Sequence, residues 1–397
     1  MDAKRKVFDV FTVLSLALLT TIVIVALRQV GLYHSLIMGA DETGYFTAGF
    51  NLFRHGKLPG ADYAPLYDFV YGFINVFTRN RNISYQVYRT LLALGLVYGF
   101  YFACRHRLPP WLSLVASVYW AMQSPYTFMF TIYIAGAFIG VLVLWGASKP
   151  KENLPVAMAM LALGAWVRPE LLGAILIAVL VFWKDLRANP RRFLAFGIIF
   201  VAYLGYKIVV PPEFGNPGGR FYVAFCQHYG WTMNDFGWKG NNWLDCPEVM
   251  QRDFHGAATL FQIARANPHA LWRHIAHNLT LAPWVLCQPL DPVNQSLSMR
   301  SANQWAWEVL PPLAFAKLLF DRKLVSFIRS IATELKLFAL LSTSYLSWIL
   351  IRPKPDYAII LAPFLVYFLV VMVYEAGKRK ERPVVSSPRN ATVGGTL

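Results

Sequence analysis

No charged side chain occurs between Trp111 and Ala147. A hydrocarbon slab about 30 Å thick is crossed by roughly 20 helical residues, so this run is too long for one span. It is read as two helices with a break at Ser124-Pro125-Tyr126. Leu154–Trp183 repeats the pattern, interrupted only by Arg168-Pro169-Glu170. Further apolar runs lie at Val7–Leu27, Tyr85–Phe102, Phe193–Val210, Trp305–Phe320, Leu335–Ile351 and Tyr357–Tyr374. The expectation is an all-α polytopic membrane protein with about ten transmembrane helices.

Composition agrees. The 397 residues are 56% hydrophobic and 15% charged, whereas soluble domains carry nearer a quarter charged residues. Lys and Arg number 37 against 21 Asp and Glu, a net +16, which would ordinarily invite a nucleic-acid partner. Here the cations sit in short clusters between apolar runs, the pattern that sets orientation in a bilayer. With the N-terminus inside, one side receives Lys4-Arg5-Lys6, Arg105/Arg107, Lys149/Lys151, Lys184 to Arg192, Arg322/Lys323 and Lys378 to Arg382. That parity requires two helices in Leu154–Trp183. It also requires Ile275–Leu290 to be an interfacial or re-entrant segment rather than a span. The opening MDAKRK followed by an apolar run has the look of a signal peptide. No small-residue cleavage site follows, so a retained first helix is expected.

Residues 1–397 are thus read as one integral membrane domain. It has a first external loop over 31–84, a long, mostly polar external loop over 211–304, and a basic cytoplasmic tail without fixed structure over 375–397. Three outer places stand out. The first is GADETGYFTAGFNLFRHGKLPGADYAPLYDF, where Asp41-Glu42 opens a segment with aromatic residues at near-helical spacing, followed by Asp62 and Tyr63. Two helices lying in the interface are expected, the second over Pro65–Phe77. Asp41 would serve equally as a helix N-cap. The second place is Arg168-Pro169-Glu170, where a guanidinium at membrane depth needs a cavity or a partner. An Arg–Glu pair at a hairpin tip and a ligand contact both satisfy that need. The third is Arg352-Pro353-Lys354-Pro355-Asp356-Tyr357, whose outer cations oppose the orientation rule. They fit a lipid phosphate, or an ordinary interfacial loop with a tyrosine anchor.

On the strength of the first motif, with WVRPE and RPKPDY beside it, the chain resembles the GT-C superfamily of membrane glycosyltransferases. The likeness is to the bacterial branch of protein O-mannosyltransferases, aminoarabinose transferases and lipopolysaccharide-core sugar transferases. The resemblance implies a polyprenyl-phosphate sugar as donor and an active site on the external face of the cell membrane. A glycan, lipid or protein would be the acceptor. RPKPDY departs from the usual segment by an inserted Lys-Pro. Inverting transfer needs one base for the acceptor hydroxyl and cations for the phosphate that leaves, with no general acid and no cofactor. Asp41 is the candidate base and Glu42 its assistant. Arg168, Arg352 and Lys354 are the candidate phosphate cations, Tyr357 a hydrogen-bond donor, and Asp62, Tyr63 and Glu170 further candidates.

The remaining signals are weaker. The segment WTMNDFGWKGNNWLDCPE is a candidate acceptor surface, while Trp272 and Trp284 read as interfacial anchors. His255, His269, His274 and His277 have no metal-ligand spacing, and no metal is expected. Cys226 and Cys246 share the external loop, where a disulfide and two free thiols are both open. A transporter or flippase for polyprenyl-linked lipids is the rival class. Paired broken helices in matching halves would favour it, and the breaks at Pro125 and Pro169 have no such counterparts.

Overall fold

The computed structural model describes residues 10–29, 40–60, 64–122, 131–210, 219–287, 309–343, 349–353 and 359–378, and among them every regular element is a helix. The first ten are α1 (Val10–Gln29), α2 (Ala40–His55), α3 (Pro65–Thr78), α4 (Arg81–Arg105), α5 (Pro110–Met122), α6 (Thr131–Ala147), α7 (Pro150–Ala165), α8 (Leu171–Val181), α9 (Trp183–Ala188) and α10 (Leu194–Val209). Then follow α11 (Gly219–Asp235), α12 (Cys246–Phe254), α13 (Leu260–Ala266) and α14 (Pro268–Cys287). The chain closes with α15 (Leu310–Phe320), α16 (Leu324–Ser330), α17 (Ala332–Ser342) and α18 (Ala362–Gly377).

Among the described residues, three helical stretches are long and apolar enough to cross a membrane: Val10–Arg28, Arg81–Arg105 and Pro190–Val209. Five further apolar helices are shorter, at Ile134–Ala147, Leu154–Ala165, Leu171–Val181, Leu310–Phe320 and Ala362–Gly377. The run Leu154–Trp183 is broken where its Arg-Pro-Glu stands, between α7 and α8. Proline has no amide hydrogen to donate and restricts the residue before it, so a helix stops there readily. Trp111–Ala147 yields α5 and α6, with the expected break at Ser124-Pro125-Tyr126 outside the described residues. The first residues of the tail expected from residue 375 are helical, because α18 continues to Gly377.

Helices α4 and α6 run parallel. Phe138 lies over Gly95, Val141 over Gly99, and His106 meets Trp145 with ring centres 6.3 Å apart. The core holds Phe100, Trp120, Phe364 and Tyr367, all with essentially no exposure. At one end of this bundle Arg107 pairs with the buried Glu334 of α17 at 2.7 Å, and Tyr367 donates to the same carboxylate at 3.2 Å. Lys323 donates to the Lys378 carbonyl at 2.6 Å. Arg107, Lys323 and Lys378, from three of the predicted basic clusters, therefore sit at the end where α4 finishes. The helices α2 and α3 lie at the other end, where α4 begins.

Within the region expected as one long polar loop, residues 219–287 form a second helical unit. Phe225, Tyr229 and Met233 of α11 pack on Val249, Met250 and Phe254 of α12, with Ile263 and Leu271 completing a separate core. Apolar residues at positions i, i+4 and i+8 make such a stripe, which a polar average over the segment conceals. Cys226 and Cys246 are joined by a disulfide, with Cα atoms 5.4 Å apart. The stretch Ile275–Leu290, expected to be interfacial or re-entrant, is helical as far as it is described. As far as Cys287 it belongs to α14, one continuous helix that buries His274 and Asn278 against this unit.

Candidate active site

The layer at the α2–α3 end is built on a backbone-to-backbone crossing. A Cβ on Gly49 would stand 2.1 Å from the Asp68 carbonyl oxygen, and one on Gly72 would stand 2.2 Å from the Gly49 carbonyl oxygen. No other residue type allows that approach. The crossing turns the inner faces of the two helices onto α4 and buries Glu42 and Asp68 completely. Tyr67 donates to Glu42 Oε1 at 2.5 Å. The ring of Tyr67 lies 5.1 Å from Tyr45, 5.0 Å from Tyr88 and 5.8 Å from Tyr71, centre to centre. Arg89 is buried beside them and donates to the Tyr85 hydroxyl. Burial first, and then the charge of Glu42, hold the phenols of Tyr67 and Tyr71 well above the ordinary tyrosine range. Both therefore stay protonated, and Tyr67 is the donor to the Glu42 carboxylate.

Asp41 is the second residue of α2, within its first turn, rather than the residue that precedes the helix. Carboxylates are favoured in a first turn because free amide groups point there. Asp62 and Tyr63 lie outside the described residues.

The same layer holds the Arg168 turn. The Leu66 amide donates to the Trp166 carbonyl at 3.2 Å, and the Trp166 indole donates to the Ile199 carbonyl at 3.2 Å. Tyr206 of α10 donates to the Pro59 carbonyl at 2.5 Å. Thus α3, the α7–α8 turn and the end of α10 are stitched together. Arg168 pairs with Glu170 at 2.6 Å and is largely buried, the pair anticipated at this turn. Its stem passes Gly136 of α6. One helical turn further on, Gly140 admits the Ile360 carbonyl, which a Cβ would meet at 2.2 Å. Arg168 and the segment entering α18 therefore flank adjacent glycines on one face of α6.

Arg352 lies in that entering segment and is already engaged. It donates to Asp235 and, at 3.3 Å, to the Trp231 carbonyl. His277 meets the same Asp235 oxygen at 2.8 Å. His274 bonds to Thr232 at 2.8 Å and to the Leu350 carbonyl at 2.9 Å. The second helical unit is thus tied to residues 349–352. Lys354 and Tyr357 lie outside the described residues.

No family model, no curated protein and no solved structure matches this chain. The site must stand on its own geometry. Among the described residues no group of three His, Cys, Asp or Glu could hold a metal ion.

Several members of the site were missed in the sequence reading. Asp68, Tyr67, Tyr71, Tyr85, Tyr88 and Arg89 were all passed over. The clearest missed signal is Arg89, a cation inside an apolar run, which is the criterion that singled out Arg168. Tyrosines four apart at 67 and 71, beside an Asp, mark the buried face of α3.

Proposed function

We propose that the chain is an inverting glycosyltransferase of about ten spans that takes a polyprenyl-phosphate sugar as donor. It transfers the sugar to a lipid, glycan or protein acceptor on the external face of the cell membrane. The observation that carries this reading is the α2–α3 layer. The Asp41-Glu42 pair opens a helix that follows directly on an apolar one, with Glu42 buried among tyrosines. The same layer is hydrogen-bonded to the turn that presents Arg168. The outward faces of these helices support an interfacial position: Phe53, Phe69, Phe73 and Phe77 are exposed along them. The gathering of basic residues at the opposite end favours a cytoplasmic placement for that end.

In this mechanism Asp41 takes the proton of the acceptor hydroxyl as its oxygen attacks the anomeric carbon. The bond from that carbon to the donor phosphate breaks, and the electron pair leaves on the phosphate. Glu42, fixed by Tyr67, positions the start of α2 rather than exchanging protons. Arg168, Arg352 and Lys354 neutralise the departing phosphate, and Tyr357 donates to it. Each arginine then exchanges a protein carboxylate, Glu170 or Asp235, for a phosphate oxygen.

Asp41→Asn is the decisive variant. Asparagine keeps a polar oxygen in the first turn but takes no proton. Transfer by purified protein should fall by at least ~100-fold, while detergent stability and donor binding hold. Near wild-type turnover in Asp41→Asn would remove the base from this residue.

A further inference from the structure

An open groove of about 290 Å³ lies between the last turns of α1 and the first turns of α4. Leu27 forms its floor, Val87 and Leu91 its walls, and Arg28, Gln86 and Thr90 its polar rim. It lies on a different face of α4 from the tyrosine layer, since Tyr85, Tyr88 and Arg89 are buried. The apolar surface around it is exposed: Ile24 is 46% and Leu91 57% accessible. Arg28 is exposed, and among the described residues no carboxylate pairs with it. Helix α1 runs antiparallel to α4, with Thr20 bonded to Tyr98. Arg28 therefore stands at the α2–α3 end, away from the gathered basic residues.

We infer that this groove binds one anionic phospholipid of the surrounding bilayer, an acyl chain lying along Leu27 and Leu91 and the headgroup phosphate meeting Arg28. Both helices are long and apolar enough to span, so their exposed faces meet lipid. A cation at the rim of an apolar channel is complementary to a phosphate at the head of an apolar chain. Gln86 and Thr90 offer further polar contacts at the same level. A cation in the last turn of a helix also answers the helix dipole and needs no lipid for that. The two roles separate on lipid selectivity, which the dipole does not confer. The inference is independent of the glycosyltransferase reading, because it requires no turnover.

The test uses the full chain in phosphatidylcholine nanodiscs doped with phosphatidylglycerol, released into native mass spectrometry. Both lipids carry the phosphate, but the choline cation of phosphatidylcholine cancels its charge. Wild type should therefore retain phosphatidylglycerol over phosphatidylcholine by roughly fivefold, the scale of one basic residue against an anionic lipid. Arg28→Ala should abolish that preference and Arg28→Lys should keep most of it. Leu91→Trp, at an exposed wall position, should lower retention of both lipids by filling the groove. Inorganic phosphate should displace nothing. Equal retention in wild type, or an unchanged preference in Arg28→Ala, would overturn the site. Displacement of phosphatidylglycerol by an equal mole fraction of a polyprenyl monophosphate would overturn the assigned occupant.

Discussion

The α2–α3 layer and the α11–α14 unit hold their shapes by opposite means. In the first, two glycines let backbones touch and buried tyrosines close around Glu42, with no covalent tie. In the second, a disulfide staples α11 to the start of α12, and an aromatic core with a buried histidine fills the space. A layer held by close approach fails when volume is added, and a stapled unit fails when a bond or a proton is changed. The contrast therefore predicts that each region can be damaged while the other stands.

The largest expected effect is on the stapled unit. Replacing Cys226 and Cys246 by Ala should remove about 3 kcal/mol, since the bridge closes a loop 20 residues apart in sequence and loops of that size carry such values. Denaturant unfolding followed by the tryptophans of this unit should register the loss. Labels on α2 and α3 should report an unchanged midpoint. A matching drop in both regions would merge them into one cooperative body.

Acid should separate them next. Burial first, then the charges of His277 and Arg352, push the His274 pKa down to about 4, against the partial counterweight of its bond to the Leu350 carbonyl. An unfolded histidine titrates near 6.5. Because the unfolded chain takes up the proton first, this contribution is complete above pH 6.5. It declines as pH falls and is gone near pH 4, a loss of about 3 kcal/mol. His274→Gln should flatten the unfolding-against-pH curve of the unit across that window. A wild-type curve already flat there would remove the histidine from the account.

Gly72→Ala should act only on the first region, costing about 1–3 kcal/mol by overpacking a crossing that has no room. Crosslinking between cysteines placed on α2 and α3 would register the widened spacing, and an unchanged crosslinking yield would refute it. The smallest change is Glu42→Gln. Tyr67 still finds an oxygen, so only the charged share of the bond is lost, about 1 kcal/mol. Transfer should fall much less than in Asp41→Asn. An equal fall would promote Glu42 from positioning residue to base.

What was legible in the sequence follows from the range over which each feature acts. The break at Arg168-Pro169-Glu170 is local, dictated by proline and two charges in an apolar run, and it stands where expected. The helix that contains Asp41 in its first turn and the second helix at Pro65 are equally local, and both are present. The engagement of Arg352 with Asp235 and His277 joins residues far apart in sequence, and no spacing rule reaches it. The helices of 219–287 were legible in principle, from the stripe Phe225, Tyr229, Met233. They were hidden because polar residues on their outer faces lower the average that marks an apolar helix. Length misled in the other direction: α8 and α15 have 11 residues each, fewer than their apolar runs suggested.

The Arg107–Glu334 pair closes across 227 residues of sequence. A ribosome delivers the arginine long before the carboxylate, so during synthesis the guanidinium at the end of α4 waits without its partner. In that interval its charge stands without the Glu334 carboxylate at the α4–α5 turn. Only when α17 arrives does the half-buried guanidinium meet the buried Glu334 carboxylate, which Tyr367 also contacts. A nascent chain stopped before α17 should leave Arg107 open to a water-soluble arginine-selective dicarbonyl, and the completed chain should protect it.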